Sequence, residues 1–460
     1  MFFGRKEELK EIRDGLNTDR FEGFLIYGRR RVGKTELINE AIKDTNKLVV
    51  SYECIKSTID ANLNLFTNKL KKIFGDEYIH FDNFDGLFDY VFKKSLEQEI
   101  IFIIDEFSFL LNEDFSIESS LAVAIDKYKY SNIKLFISGS YVTLMQQMIA
   151  YESHSYGRFT HILIIRPFDY FDSAKFYPSY SDEEKIMMYS VFGGIPFFNS
   201  LIDTKKTAVE NIIDLVVKKD SIIEHEINEM ILVETNKISN MNYVITLMSK
   251  GMKKYKDIGD SLSKVGVTKP DYLLKKLIDM DIAKKVFPIN DENNKKRIMY
   301  LFKDNLLNFY YRYIFYTPYQ EFRAEPGLFF DKFIKESFYS EYLPKRFEMI
   351  AQEFLIKKNL NKELKPFIFK IGNYSYDDPQ KRINREFDVV TLDERGYISY
   401  ECKYTNMPID NNIIAKEIKQ TTDAEIGFYK LGFISKNGFS NDVDKNKYNC
   451  FSLEDFYKFK

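Results

Sequence analysis

The sequence predicts an α/β protein built on a doubly wound parallel sheet. Three observations carry that expectation. Short apolar runs recur through the first 140 residues, helical patterns separate them, and the first run leads straight into a glycine-bounded loop. Taken in order, residues 5–19 read as a charged helix. "FLIY", ending at Tyr27, reads as a buried strand, and "TELINEAI", from Thr35, opens an amphipathic helix. "KLVVSYEC" near residue 50 is a second strand, "EIIFIIDEF" ending at Phe107 a third, and "IKLFISGS" ending at Ser140 a fourth. From about Phe171 to Lys237 the pattern is mostly helical, broken by "FGGIPFF".

The next stretch changes character. "NYVITLMSKG", "KYKDIGDSLS" and "TKPDYLLKKLIDMDI" read as three short helices, and "AKKVFPI" and "RIMYLFK" as two strands. That order is the winged variant of the helix-turn-helix. An aromatic helix, "NLLNFYYRYIFY", leads to a last domain with the helix "RFEMIAQEFLIKK" and a hairpin, "EFDVVTL" and "YISYECKY", turned at "DERG".

Composition narrows the classes. Hydrophobic residues make up 45% and charged residues 30% of the 460, enough for about three folded domains. The net charge of −2 means that any nucleic-acid contact must come from a local basic surface. Cys54, Cys402 and Cys450 are scattered and form no zinc spacing with the four histidines. A reducing, cytoplasmic setting is expected. "MFFGRKEELK" is no signal peptide, and no run of about 18 apolar residues suggests a membrane span. The aromatic content of 16%, without tryptophan, is read as core filling.

Gly28, Gly33, Lys34 and Thr35 match G-x-x-x-x-G-K-[ST] between a strand and a helix. Backbone N–H groups and a helix N-terminus surround phosphates in such a loop, so ATP is the expected ligand. Lys34 is expected on the β- and γ-phosphates and Thr35 on Mg²⁺. Arg29, Arg30 and Arg31 occupy the variable positions. Asp105 and Glu106 end the third strand, where Asp105 would hold magnesium through water and Glu106 would polarise the attacking water. Ser138 and Ser140 end the fourth, either to sense the γ-phosphate or as an ordinary turn.

"FFGRKEEL", "YGRRRVGKT", "IIDEF", "ISGS", "SYGRF", "RPFDYFD" and "GGIPFF" follow one another in this order. Together they resemble the archaeal-type ATPase family of the STAND/AAA+ group. The resemblance implies an ATP-driven switch or an oligomerising ATPase. It implies that Arg5 lies near the nucleotide and that Pro196 belongs to a turn on the adenine side. It also implies that Arg158 acts on a neighbouring subunit's γ-phosphate, the alternative being a structural salt bridge.

In the winged-helix stretch, Lys269, Lys275 and Lys276 lie on the recognition helix beginning near Thr268, and Lys295, Lys296 and Arg297 on the wing loop. They are candidates for phosphate-backbone contacts, or for a solvated face of a packing module.

Near the end, Glu386 and Asp388 share one strand face, and Glu401 and Lys403 share another. The tight turn sets these faces side by side. Phosphodiester hydrolysis needs such a set: Asp388 and Glu401 to bind Mg²⁺, and Lys403 to orient the attacking water. Glu348, on the preceding helix, adds a third carboxylate. The arrangement resembles the PD-(D/E)xK nuclease superfamily without its naming proline, since Phe387 precedes Asp388. The tail also resembles the domain of unknown function fused to such ATPases. Lys419 and Gln420 follow on the next helix.

The expected architecture is therefore a P-loop NTPase core (1–170), a helical lid (171–237), a winged helix-turn-helix (238–303), a helical connector (304–344) and an α/β restriction-endonuclease-like domain (345–460). The expected function is nucleotide-controlled DNA cleavage with ATP and Mg²⁺, with DNA and a second copy of the chain as partners and no membrane. The alternative is a STAND-type signalling switch whose tail only binds nucleic acid or protein.

Overall fold

The computed structural model describes residues 2–234, 238–267, 270–378, 383–423 and 427–459. The chain divides into two compact units, one comprising Met1–Phe168 with Ile195–Phe197, the other Asp169–Gly194 with Phe198–Lys460.

The first unit is a parallel sheet of β1 (Glu22–Tyr27), β2 (Leu48–Glu53), β3 (Ile100–Asp105), β4 (Lys134–Gly139) and β5 (His161–Ile164), in the order β2-β3-β4-β1-β5. All six residues of β1, β3 and β4 are buried. Helices covering both faces explain why these strands read as continuous apolar runs. Successive side chains enter opposite cores. Leu25, Tyr27, Phe102, Ile104, Leu135 and Ile137 pack on one side, and Phe24, Ile26, Ile101, Ile103 and Phe136 on the other. The four strands expected up to Ser140 are present. β5 is an addition: "HILI" exposes Ile162 and Ile164 at the sheet edge, so it carries no buried-strand signal.

Within the second unit, helices Ile238–Ser249, Tyr255–Ser263 and Asp271–Asp279 precede an antiparallel pair, β6 (Ala283–Val286) and β7 (Met299–Phe302). The expected start of the third helix at Thr268 and Lys269 lies outside the described residues. The loop between β6 and β7 is not free. Its Ile289 N–H donates to Asn373 O at 2.8 Å, Asn290 exchanges two hydrogen bonds with Ser375, and Arg297 donates to Ser375 O at 3.2 Å.

Asn373 and Ser375 belong to β8 (Lys370–Asp378), the edge of a second sheet. With β9 (Ile383–Asp393), β10 (Gly396–Lys403), β11 (Phe428–Ser435) and β12 (Asn449–Ser452) it forms the order β12-β11-β10-β9-β8. β8, β9 and β10 run antiparallel, while β10, β11 and β12 run parallel. The helix Leu343–Leu360 lies on this sheet through Phe347, Ile350, Phe354 and Leu355, and the Phe354 ring stacks on Phe456 at 4.2 Å between centroids. Among the described residues no helix is long and apolar enough to cross a membrane.

One carboxylate in this unit ties folding to pH. Glu353 accepts hydrogen bonds from the Tyr170 N–H and the Tyr189 hydroxyl, each at 2.8 Å. Burial nevertheless pushes its carboxyl up to about 7. The folded state then keeps a proton that the unfolded chain gives up near 4.5. Its contribution is full below that lower value and is lost as pH rises through about 7. The melting temperature is expected to fall between about pH 5 and about pH 8, and Glu353→Gln to shrink that fall. An unchanged fall in the variant would contradict the assignment.

Candidate functional site

The loop after β1 begins with a close approach of two backbones. A Cβ on Gly28 would run into the Ile165 carbonyl, because Ile165 follows β5 and donates its N–H to Tyr27 O at 2.7 Å. Gly28→Ala is expected to lower stability by about 1–3 kcal/mol, read from denaturant melts. An alanine protein as stable as the wild type would show that the loop can give way. Arg31 and Gly33 take positive φ, 70° and 89°, which coils the loop toward the helix Lys34–Ile42.

Lys34 is buried at the start of that helix, and its ammonium donates to Gly28 O at 3.1 Å and Arg29 O at 3.3 Å. Burial lowers its pKa, an effect opposed by the Glu106 carboxylate 3.8 Å away. The next residue's hydroxyl, on Thr35, donates to Asp105 Oδ2 at 2.6 Å. Thr35 and Asp105 thus sit side by side as a hard-oxygen pair, a donor set that suits magnesium. Glu106, at φ 51°, turns its carboxylate toward the Lys34 ammonium.

Ser138 and Ser140 hold these acids. The Ser138 hydroxyl donates to Asp105, and the Ser140 hydroxyl donates to Glu106 Oε2 at 2.5 Å, with the Ser140 N–H at 3.1 Å from the same oxygen. The sequence left a γ-phosphate sensor and an ordinary turn both open here; in this structure both hydroxyls are engaged by carboxylates.

Two distant motifs also arrive at the loop. Arg5 lays its guanidinium over Phe168 at 4.3 Å and donates to Val32 O at 3.3 Å and Arg166 O at 2.5 Å. Pro196 lies about a van der Waals contact, 4.0 Å, from where a Gly33 Cβ would stand, and Arg31 covers the Phe197 ring at 4.2 Å. Arg5 and Pro196 therefore both lie beside the loop. Arg158 does not join them. It makes a two-pronged pair with Asp126, at 3.0 and 2.6 Å, and donates to His154 O.

The second constellation lies on β9, β10 and the helix Leu343–Leu360. The last paired residues of the hairpin are Ser399 and Val390. Beyond that pair the ladder stops, and β9 shifts register against β8 between Val390 and Phe387, yet Asp388 stays close enough to Glu401 for its charge to raise the Glu401 carboxyl. Asp388 Oδ1 accepts from Asn373 Nδ2 at 3.0 Å, and its backbone carbonyl from Gln352 at 2.8 Å. Lys403 donates to Glu401 Oε1 at 2.5 Å and to Glu417 at 3.3 Å. Burial depresses the Lys403 pKa, but the hydrogen bonds and charges of Glu401 and Glu417 together outweigh it and hold the ammonium above its usual range.

Sequence reasoning missed one group here. Lys345 places its ammonium 3.3 Å from both oxygens of Glu348 and 3.1 Å from Asp388. A lysine one turn from Glu348 on an exposed face gives no signal of its own in the sequence. Burial, then the Asp388 charge, raises the Glu348 carboxyl to about 7 despite Lys345, and Glu401 is raised as well. Glu348 and Asp388 line one pocket with an ammonium between them, and the charges of Asp388 and Glu401 both oppose ionisation of Glu348. All-oxygen donors that gather positive charge suit a divalent ion. No group of three metal-ligating residues is close enough to hold one among the described residues. Glu386 turns away, pairing with Lys253 at 2.7 Å through both oxygens.

A lysine-and-threonine loop facing an acidic strand end defines a P-loop ATPase. Residues 2–202 match the family described as an ATPase domain predominantly from Archaea, and residues 310–420 match a family of archaeal and bacterial proteins of unknown function. The chain thus carries an archaeal-type ATPase domain followed by a domain of that second type. Over 400 residues it is 29% identical to an uncharacterized protein of Methanocaldococcus jannaschii, covering 86% of this chain and 85% of that one. A stretch of 44 residues is 43% identical to an uncharacterized ATP-binding protein of the same organism, 10% of this chain and 75% of that one. Among solved structures, the Walker-type ATPase PABY2304 of Pyrococcus abyssi aligns with a TM-score of 0.49 at 17% identity, covering 67% of this chain and 96% of that one. The ORC2 protein of Aeropyrum pernix, solved as ADPNP–ADP complexes, aligns at 0.46 and 14%, covering 70% and 93%.

Proposed function

We propose that this P-loop ATPase is a nucleotide-driven switch controlling a magnesium-dependent DNA nuclease in residues 345–460. The observation that carries the second half is the convergence of its charges: Lys345 bonds both Glu348 and Asp388, Lys403 bonds Glu401, and the Asp388 charge bears on both other acids.

At the front of the chain, Lys34 leaves the Gly28 and Arg29 carbonyls for the β- and γ-phosphates, while the loop N–H groups take the remaining oxygens. Glu106, held by Ser140, orients the attacking water. Arg5 and Pro196 fix the loop and the adenine side. When bound at either site, magnesium supplies charge neutralisation and a bound water of lowered pKa. Thr35 with Asp105 would hold it in front, and Asp388 with Glu401 at the rear. There Lys403 steers the attacking water. Arg158 serves a neighbouring copy's γ-phosphate only after leaving Asp126, so ATP-dependent assembly, read by light scattering, accompanies that role. Residues 238–303 are read as a winged helix used chiefly for packing, since its wing loop is hydrogen-bonded to β8.

The test is metal-dependent cutting of labelled DNA by the wild type and by Asp388→Ala and Lys403→Ala; cutting that survives both changes removes the assignment. A second reading, a switch whose tail only binds nucleic acid or protein, is favoured by the Lys345 ammonium standing between Glu348 and Asp388. It expects no cutting in any nucleotide state.

A further inference from the structure

The acids at the rear of the chain open onto a cavity of about 570 Å³ within the second unit. Glu348 and Asp388 line one end, and the Met248–Lys253 stretch, Lys284, Tyr300 and Arg346 line the rest. Two of its cations have no carboxylate partner among the described residues. Arg346 hydrogen-bonds a neutral group, Asn305 Oδ1, at 3.2 Å, and its Nε is buried with no acceptor. Lys284 forms no ion pair among the described residues, and burial depresses the pKa of both side chains. Glu341, Glu348 and Asp388 share this wall, and Glu341 pairs with Arg312 at 2.6 Å. Arg346 and Lys284 have no carboxylate in hydrogen-bond reach among the described residues, so this part of the cavity suits an anionic ligand.

Arg312 lines this cavity and also a neighbouring one of about 240 Å³. The second is aromatic, walled by Tyr311, Tyr313, Tyr316, Tyr319 and Phe333. The sequence suggested that aromatic residues serve the cores, and most do, but here Tyr316, Tyr319, Phe322 and Phe333 are 39–56% exposed. Tyr319 and Phe333 are already stacked at 4.3 Å, so they present ring faces without further ordering.

We propose that these two cavities form one track for a single-stranded nucleic acid, its unpaired bases stacking on Tyr316, Tyr319 and Phe333 and its phosphates passing Arg312 toward Arg346, Lys284 and the Asp388 acids. Stacking platforms beside a basic groove are how single strands are held. A volume of about 570 Å³ falls in the range that encloses one small ligand, so it takes a nucleotide or two and not a duplex. The track deepens the nuclease reading and depends on it only for where the strand ends.

The experiment is fluorescence anisotropy with the full chain in EDTA, so that no cutting intervenes. The probes are a labelled thymidine oligonucleotide of about 12 residues, a duplex of that length and a uridine oligonucleotide. Single strands are expected to bind at least about tenfold tighter than the duplex, with affinity falling as salt rises. The DNA and RNA arms identify which strand is taken; tight binding of either supports the track. Tyr319→Ala with Phe333→Ala, both exposed positions, is expected to weaken single-strand binding by about tenfold or more, as is Arg312→Gln separately. Duplex bound as tightly as single strand overturns the proposal, as does wild-type affinity in both variants. Single-strand binding by a wild type that never cuts leaves the track standing and removes the nuclease.

Discussion

Lys34→Ala is expected to abolish ATP hydrolysis and to weaken ATP binding by about a hundredfold or more. The ammonium makes charge-assisted hydrogen bonds to phosphate oxygens, each worth about 1.5–3 kcal/mol, and two such bonds account for that loss. The same variant should fold normally. In this structure Lys34 is a buried cation satisfied by two carbonyls and one carboxylate at 3.8 Å. Removing it leaves neutral carbonyls behind and a Glu106 carboxylate that is still hydrogen-bonded by Ser140 and is partly exposed. Its melting temperature should therefore stay within a few degrees of the wild type. Isothermal titration with ATP checks the first part and a thermal melt the second. Wild-type affinity in Lys34→Ala would mean that the loop does not cradle phosphates.

The other large effect belongs to the rear site. Asp388→Ala and Lys403→Ala are each expected to reduce metal-dependent cutting by about 10²–10³-fold or more, the scale seen when one electrostatic contributor to a transition state is removed. ATP turnover should be unchanged in both, because neither residue belongs to the front unit. Lys403→Arg separates charge from shape. A guanidinium keeps the charge next to Glu401 but replaces a compact rotatable ammonium by a planar fork. It should retain binding and lose most of the cutting. If Lys403→Ala cut as fast as wild type, Lys403 would be only the partner of Glu401 and Glu417.

The front site was legible because its chemistry is contiguous in the chain. A phosphate cradle needs one strand, one loop and one helix, and Gly28 to Thr35 spells all three. Asp105 and Glu106 were found for a similar reason, as acids ending an apolar run. What the sequence could not convey was the role of Ser138 and Ser140, since a hydroxyl at a strand end reads alike whether it meets a phosphate or a carboxylate. At the rear, the hairpin turned at "DERG" was legible, and its ladder runs from Gly396–Asp393 to Ser399–Val390, short of Asp388 and Glu401. Lys345, Asn373 and Glu417 were not, because they reach the acids only through tertiary packing of a helix, an edge strand and a later helix. The basic loop between β6 and β7 was legible only as charge. Its charge left phosphate contacts and a packing role both open; Asn290 and Arg297 are hydrogen-bonded to β8, leaving Lys295 and Lys296 as its exposed cations. β5 went unseen because an edge strand of four residues with two exposed isoleucines has neither length nor alternation to announce it.

Cleavage of an end-labelled DNA strand in magnesium, run with and without ATP on the wild type, Lys34→Ala and Lys403→Ala, tests the central claim most directly. The wild type should cut at a rate that changes with ATP, Lys34→Ala should cut at one fixed rate whatever the nucleotide, and Lys403→Ala should not cut. Equal, nucleotide-independent cutting by all three proteins would contradict both the site and its control.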